Sequence, residues 1–280
     1  MAERWWINGE EGRLLDISER GLTYADGLFE TIAVQAGQPR FLDYHLDRLL
    51  AGCQRLLIPA PDRSGLGDEL SQHAAAAGEA VLKLVLSRGP GGRGYVPPRT
   101  PSVTRIIGLL ARAPAPARHY SEGIVAGFVG MPVSENRQLA GLKTLARLEQ
   151  VLAAAEREAM NLDEALMCDQ AGQLVCGTMS NVFLVHEGEL HTPDLSGAGV
   201  RGVMRRVILE EASRLGITVR EQPVPLKALG DATEVFVSNA LIGLWPVRRL
   251  GERELLPGPL SRRLQEALVQ RGVHECSAGC

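Results

Sequence analysis

The 280-residue chain is 45% hydrophobic and carries a formal net charge of −3, with a pI near 6.1. It can bury a large core, as one big domain or two of ordinary size. Charges of both signs are interspersed, which excludes a nucleic-acid footprint, and no stretch approaches the ~20 apolar residues of a membrane span, so the expected partner is a small molecule.

The N-terminal stretch MAERWWINGEE has neither a basic nor an apolar targeting region, so a cytoplasmic protein is expected. Five cysteines, Cys53, Cys168, Cys176, Cys276 and Cys280, are odd in number and lack zinc-site spacing, so reduced thiols and no metal are expected. Cys276 and Cys280, in the polar tail ECSAGC, are expected to have no structural role.

In chain order, residues 41–57 place Leu42, Leu46, Leu49 and Leu56 at helical spacing, while 81–88 and 104–110 read as buried or half-buried strands. Residues 74–77, four alanines, read as helix. Between the two strands, SRGPGGRGYVPP lacks the lysine of a P-loop and reads as a substrate-lining loop bearing Arg93 and Tyr95. Pro114 and Pro116 then break the chain. This predicts a smaller α+β domain over 1–112, a linker over 113–119 and a larger α+β domain over 120–280, with a site between the two lobes expected.

Within the larger domain, strands are predicted at 123–130, 164–169, 181–192, 234–240 and 244–250. Helices are predicted at 144–160, at roughly 201–215 and at 259–271. The second helix follows glycines, which leaves the amides of Val203 and Met204 open to an anion. The strand ending at Ser238, Asn239 and Ala240 offers similar turn amides, and each site alone also reads as a plain loop.

Only three of the 30 basic residues are lysines: Lys83, Lys143 and Lys227. A lysine becomes a nucleophile or Schiff-base former when desolvation or a nearby cation lowers its pKa. Lys83 reads as an outward strand residue and Lys227 as part of a surface turn. Lys143 sits at a predicted helix start, with Thr144 as its cap and Leu145, Leu148, Val151 and Leu152 as the buried stripe behind it. That placement fits a catalytic lysine or one that snorkels. Arg48, in HLDRLL, fits an anion ligand or an exposed helix ion pair.

Taken together, RGLTYADGLFET, HLDRL, SRGPGGRGY, AGLKTLARLEQ, CGTMSNVFLV, GVMR and SNALIGLWPV resemble the fold-type IV pyridoxal-phosphate enzymes. This group comprises branched-chain aminotransferases, D-amino-acid aminotransferases and 4-amino-4-deoxychorismate lyase. The motifs K-x-L-x-R-L-E-Q, S-R-G-x-G-G-R-G-Y and S-N-A-L look most like the lyase. The resemblance implies a two-lobed α+β fold with most of the pyridoxal 5'-phosphate site in the larger domain, and a homodimer acting in folate synthesis.

It further implies that Lys143 binds the cofactor, with Arg48, the Val203 and Met204 amides and the Asn239–Ala240 turn around its phosphate. Thr31 stands where the lyases carry a proton-transferring threonine, and Tyr24, Arg93 and Tyr95 match substrate-lining positions. One residue departs from the pattern. Cys176 occupies the place of a glutamate that pairs with the cofactor's ring nitrogen, a role a thiolate would fill only in part. An aminotransferase, or a non-catalytic paralogue weakened at Cys176, are the alternative readings.

Overall fold

The structure, a computed structural model, describes residues 3–279. The chain packs as two compact units: the residues up to Ala113 joined by Leu142–Ala146, and Pro114–Gly141 joined by the residues from Arg147 onward. Lys143 therefore packs with the first unit. Both units are α+β.

The first unit contains β1 (Arg4–Ile7), β2 (Glu10–Glu11), α1 (Arg20–Tyr24), β3 (Gly27–Gln35), β4 (Gln38–Pro39), α2 (Leu42–Leu56), α3 (Arg63–Ala75), β5 (Glu79–Ser87) and β6 (Thr104–Ala111). Its strands form one sheet in the order β2-β1-β6-β5-β3-β4, and every pairing is antiparallel. The core lies under the two long helices. Leu46, Leu49 and Cys53 of α2 and Leu66 and Leu70 of α3 pack with Leu28, Ile32, Leu82, Leu84 and Leu86 of the sheet.

Sequence spacing accounts for α2, and two local devices close its C-terminus and open α3. Arg88 donates to the carbonyls of Leu56 and Leu57 at 2.8 and 2.7 Å, satisfying the orphan acceptors at the C-terminus of α2. Asp62 accepts the Gly65 amide at 2.6 Å and so starts α3. The predicted alanine helix is the end of α3, which stops at Ala75.

The second unit contains α4 (Arg118–Ser121), β7 (Ile124–Phe128), α5 (Leu148–Ala159), β8 (Glu164–Cys168), β9 (Gln173–Gly177), β10 (Asn181–His186), β11 (Glu189–Pro193), α6 (Val203–Arg214), β12 (Val219–Gln222), β13 (Val224–Pro225), α7 (Ala228–Asp231), β14 (Glu234–Asn239), β15 (Gly243–Leu250), β16 (Arg253–Glu254), α8 (Pro259–Gln270) and a closing 3₁₀ helix over His274–Gly279. The sheet runs β12-β11-β10-β14-β15-β7-β8-β9-β13, with β16 on β15. Phe183 and Phe236 are register partners whose rings stack 4.9 Å apart at its centre. Such a pair is worth about 1 kcal/mol beyond the area it buries.

Several expectations change here. The run 181–192 is a hairpin, β10 and β11, because Glu187 and Gly188 both take positive φ and turn the chain. The helix predicted from Thr144 begins at Leu148. Leu148, Val151 and Leu152 are exposed rather than a buried stripe. Cys276 is fully buried in the closing 3₁₀ helix, its sulfur close to Gly243, whereas Cys280 lies outside the described residues.

Candidate active site

Residues 142–146 form an extended segment along the edge of β3. Phe29 donates its amide to the Lys143 carbonyl at 2.9 Å, Leu145 donates to the Gly27 carbonyl at 3.0 Å, and Thr144 pairs with Leu28. Thr144 therefore forms an isolated bridge to β3, and the helix that follows begins only at Leu148, with Arg147 at its N-cap. A Cβ at Gly27 would lie 2.5 Å from the Leu86 carbonyl oxygen and 2.8 Å from the Leu145 side chain, so only glycine admits this approach. The half-buried Lys143 places Nζ 4.1 Å from the centre of the Phe29 ring.

Three consecutive β3 residues organise the surroundings of Lys143 within the first unit. Phe29 carries Lys143. Glu30, on the opposite pleat, is buried beneath α2, where its carboxylate accepts Arg48 Nε at 2.8 Å, Arg48 Nη2 at 2.5 Å and His45 Nδ1 at 2.6 Å. Thr31 returns to the Phe29 face, half-buried, with Lys83 of β5 as its register partner. Arg48 is thus a nearly buried, bidentate partner of Glu30 rather than an exposed helix ion pair.

Burial would raise the Glu30 carboxyl pKa, but the Arg48 charge and the His45 hydrogen bond outweigh it and hold the group at about 2. His45 is lowered, first by burial and also by the Arg48 and Lys143 charges, against the pull of Glu30. A neutral imidazole donating Nδ1–H to an ionised Glu30 follows, and its buried Nε2 has no hydrogen-bond partner among the described residues. Sequence reading missed Glu30 and His45. The sequence holds no signal for them, because nothing local to LFET or HLDRLL pairs a carboxylate at 30 with an imidazole at 45.

The glycine-rich loop is pinned to α1. Arg20 donates to the carbonyls of Gly94 at 3.0 Å and Tyr95 at 3.1 Å, and Tyr24 Oη accepts the Gly94 amide at 3.1 Å. Tyr24 and Tyr95 meet edge to face with centroids 5.6 Å apart. Asp26 anchors Arg20 at 2.9 Å and Arg88 at 2.7 Å. Tyr24 and Tyr95 are therefore brought together, and Arg93 lies in the same loop.

The second unit carries the other predicted residues. Val203 and Met204 open α6; the first intrahelical bond is Arg206 N to Gly202 O, so their amides precede the ladder. No side chain caps this helix, whereas α8 has its first-turn amides bound by Glu234. Asn181 ties the turns together. Its Nδ2 donates to the Val200 carbonyl at 2.9 Å, and its register partner is Ser238, next to Asn239 and Ala240.

A Cβ at Gly202 would lie 2.0 Å from Asn181 Oδ1, so glycine is required at the entry to α6. Asn239 shapes its own turn by accepting the amides of Leu241 and Ile242 at 2.9 and 3.0 Å. The Ser238 hydroxyl is buried with no hydrogen-bond partner among the described residues.

Cys176, in β9, packs in an apolar cluster with Val133, Ala153, Met167, Val175, Leu195 and Ala198. Burial, then the Glu164 charge, push its thiol up to about 12 against the lowering influence of Arg147. It is a neutral thiol at any physiological pH. Glu164 itself is a satisfied structural carboxylate, accepting the hydroxyls of Thr178 and Ser180 at 2.5 and 2.6 Å.

A family model described as amino-transferase class IV matches residues 27–250. An aminodeoxychorismate lyase of Vibrio harveyi is 33% identical over 268 residues, covering 93% of this chain and 98% of its own. A putative branched-chain-amino-acid aminotransferase of Methanocaldococcus jannaschii is 28% identical over 271 residues, covering 93% of each chain. Among solved structures, the 4-amino-4-deoxychorismate lyase of Pseudomonas aeruginosa superposes with a TM-score of 0.91 at 44% identity, over 95% of this chain and 98% of that one. The branched-chain aminotransferase of Escherichia coli superposes at 0.89 with 25% identity, over 98% and 96%.

Proposed function

The chain belongs to the class IV aminotransferase family, and we propose that its reaction is the conversion of 4-amino-4-deoxychorismate to 4-aminobenzoate and pyruvate with pyridoxal 5'-phosphate as cofactor. The observation that carries this reading is the likeness to the Pseudomonas aeruginosa lyase, well above that to the aminotransferases. Thr31 supports it, a hydroxyl on the sheet face that Lys143 overhangs.

The residues present fit a phosphorylated aldehyde. Lys143 offers a half-buried amine. Uncapped amides at Val203 and Met204, with the unpartnered Ser238 hydroxyl and the Asn239–Ala240 turn at the far side of Asn181, suit a phosphate. Arg48, aimed by Glu30, would add countercharge. At the ring nitrogen, the neutral Cys176 thiol suits an unprotonated nitrogen rather than a cation.

The cofactor, when bound, supplies a conjugated electron sink joined to the substrate's amine. In this reading Lys143 Nζ takes the proton from C4 of the substrate as general base. The C3–O bond to the enolpyruvyl group then breaks as the ring becomes aromatic, and Thr31 Oγ1, directly or through Lys143, delivers a proton to the departing group, which leaves as pyruvate. Aromatisation supplies driving force that a transamination lacks, so a weaker sink at Cys176 suffices. Tyr24, Arg93 and Tyr95 are assigned to the substrate side.

A homodimer in the cytoplasm is part of the proposal. The exposed apolar Leu148, Val151 and Leu152 of α5 support the former and the thiols of Cys53, Cys168 and Cys176, none of them in a disulfide, the latter. The test is to supply chorismate, glutamine and an aminodeoxychorismate synthase and follow 4-aminobenzoate fluorescence. Product that forms at the same rate without this protein would remove the lyase reading. A new amino acid formed from 2-oxoglutarate without pyruvate would replace it with an aminotransferase.

A further inference from the structure

Glu30 interrupts an apolar row. On its face of β3 it lies between Leu28 and Ile32, and its register partner on β5 is Leu84, all three of them core residues. A leucine at position 30 would continue that row. Folding alone gains little from a carboxylate there, because a buried ion pair often adds no more stability than apolar packing of the same volume. Both partners of Glu30 come from one face of α2, where His45 and Arg48 stand three residues apart.

Arg48 takes both carboxylate oxygens, Oε1 through Nε and Oε2 through Nη2, so the ion pair is complete without a third group. His45 Nδ1 nevertheless stands 2.6 Å from Oε2, which is thereby held between a guanidinium and an imidazole. The other ring nitrogen, Nε2, is buried with no hydrogen-bond partner among the described residues. A side chain that leaves one polar atom orphaned in the core, beside a carboxylate already bound, is a poor source of stability and a good lock on the carboxylate's rotamer. The charges that face the imidazole are Glu30 from β3, Arg48 from its own helix and Lys143 from the segment bonded to β3. Two of the three are cations, which keeps the ring neutral with its one proton on Nδ1, toward Glu30.

We infer that His45 is a positioning residue for the cofactor's phosphate: its Nδ1–H locks Glu30, and Glu30 in turn holds the Arg48 guanidinium in the orientation that receives the anion. His45 is itself buried and acts only through Arg48. This deepens the proposed function and rests on it for the place of Arg48 at the phosphate, whereas the relay from His45 through Glu30 to Arg48 stands on the geometry within the first unit. The phosphate preference can be measured without turnover.

Two isosteres separate the ring nitrogens. His45→Asn places a carboxamide N–H where Nδ1–H stands, and His45→Gln places it where Nε2 stands. The experiment is equilibrium dialysis of pyridoxal 5'-phosphate and of pyridoxal, its phosphate-free analogue, against the full chain freed of cofactor. His45→Gln is expected to lose about tenfold in affinity for pyridoxal 5'-phosphate, the scale of one misdirected charge-assisted contact, and to bind pyridoxal within about twofold of wild type. His45→Asn, which restores the donor to Glu30, should keep both affinities within about threefold. Arg48→Met should lose at least as much of the phosphate preference as His45→Gln. Nitrogen NMR of the wild-type imidazole should find the proton on Nδ1.

A parallel loss of both aldehydes in His45→Gln, a loss in His45→Asn as large as in His45→Gln, or a proton on Nε2 would overturn the inference. So would a preference lost in Arg48→Met and kept in His45→Gln, which leaves the phosphate role of Arg48 standing. A preference unchanged in Arg48→Met would remove that role and the inference with it. Wild type that makes no 4-aminobenzoate yet keeps a His45-dependent phosphate preference would sink the lyase reading and leave the positioning role of His45 in place.

Discussion

Glu30 accepts both Nε and Nη2 of Arg48, from the strand position between Phe29 and Thr31. One carboxylate therefore orients the cation assigned to the phosphate while its two strand neighbours face the lysine. Removing one member of such a buried pair leaves the other uncompensated, at a cost of roughly 3 kcal/mol or more. Glu30→Gln is expected to lower the unfolding free energy by that amount, read as a lower urea midpoint at an unchanged slope, and to weaken pyridoxal 5'-phosphate binding, measured by dialysis.

The same carboxyl makes stability fall in acid. Its folded pKa of about 2 lies below its ordinary 4.5, so its contribution is complete above about pH 4.5 and lost as pH falls toward 2. The amount is about 3 kcal/mol over that window. His45, whose pKa is also lowered, acts in the same direction, because its neutral form is favoured by folding and lost on acidification below its ordinary 6.5. Glu30→Gln should flatten the acid limb between pH 4.5 and 2 in denaturant melts collected across pH; an unchanged limb would refute the coupling.

Lys143→Ala should abolish the visible absorbance of the loaded protein and reduce product formation by about 10⁴-fold or more, since it removes both attachment and base. Retention of both signals would refute its role.

Cys176 and Cys53, raised to about 12 and about 11, should not react with a disulfide reagent at pH 8 in the native protein and should react once urea unfolds it. Mapping of labelled peptides reads the result. Rapid native labelling of Cys176 would mean a thiolate is accessible at that position.

Arg20→Met removes the two carbonyl contacts that pin the glycine-rich loop. Trypsin should then cleave after Arg93 at least about fivefold faster, and KM should rise more than kcat falls, because the loop's order is lost while Lys143 and Thr31 are untouched.

Much of the site is legible in the amino-acid sequence. Lys143 stands out because lysine is rare in this chain, and the glycines before Val203 announce the uncapped helix. Glu30 and His45 are invisible there because nothing in the chain pairs them until strand and helix meet. The reading of Lys83 as a solvated residue fails for a related reason: alternation says which residues share a face of β5, and says nothing about whether that face holds water or the Phe29 ring, 5.2 Å from Lys83 Nζ.

The sequence by itself determined the α+β alternation of elements, the break at Pro114 and Pro116, and the residue types that bear on lysine-based chemistry. These follow from local rules: hydrophobic period, proline's missing donor, glycine before a helix. Only the tertiary structure decided that Lys143 lies in an extended segment bonded to β3 rather than at a helix start. Five residues are too few to display a period, and their conformation is set by hydrogen bonds to Gly27 and Phe29, more than a hundred positions earlier in the chain.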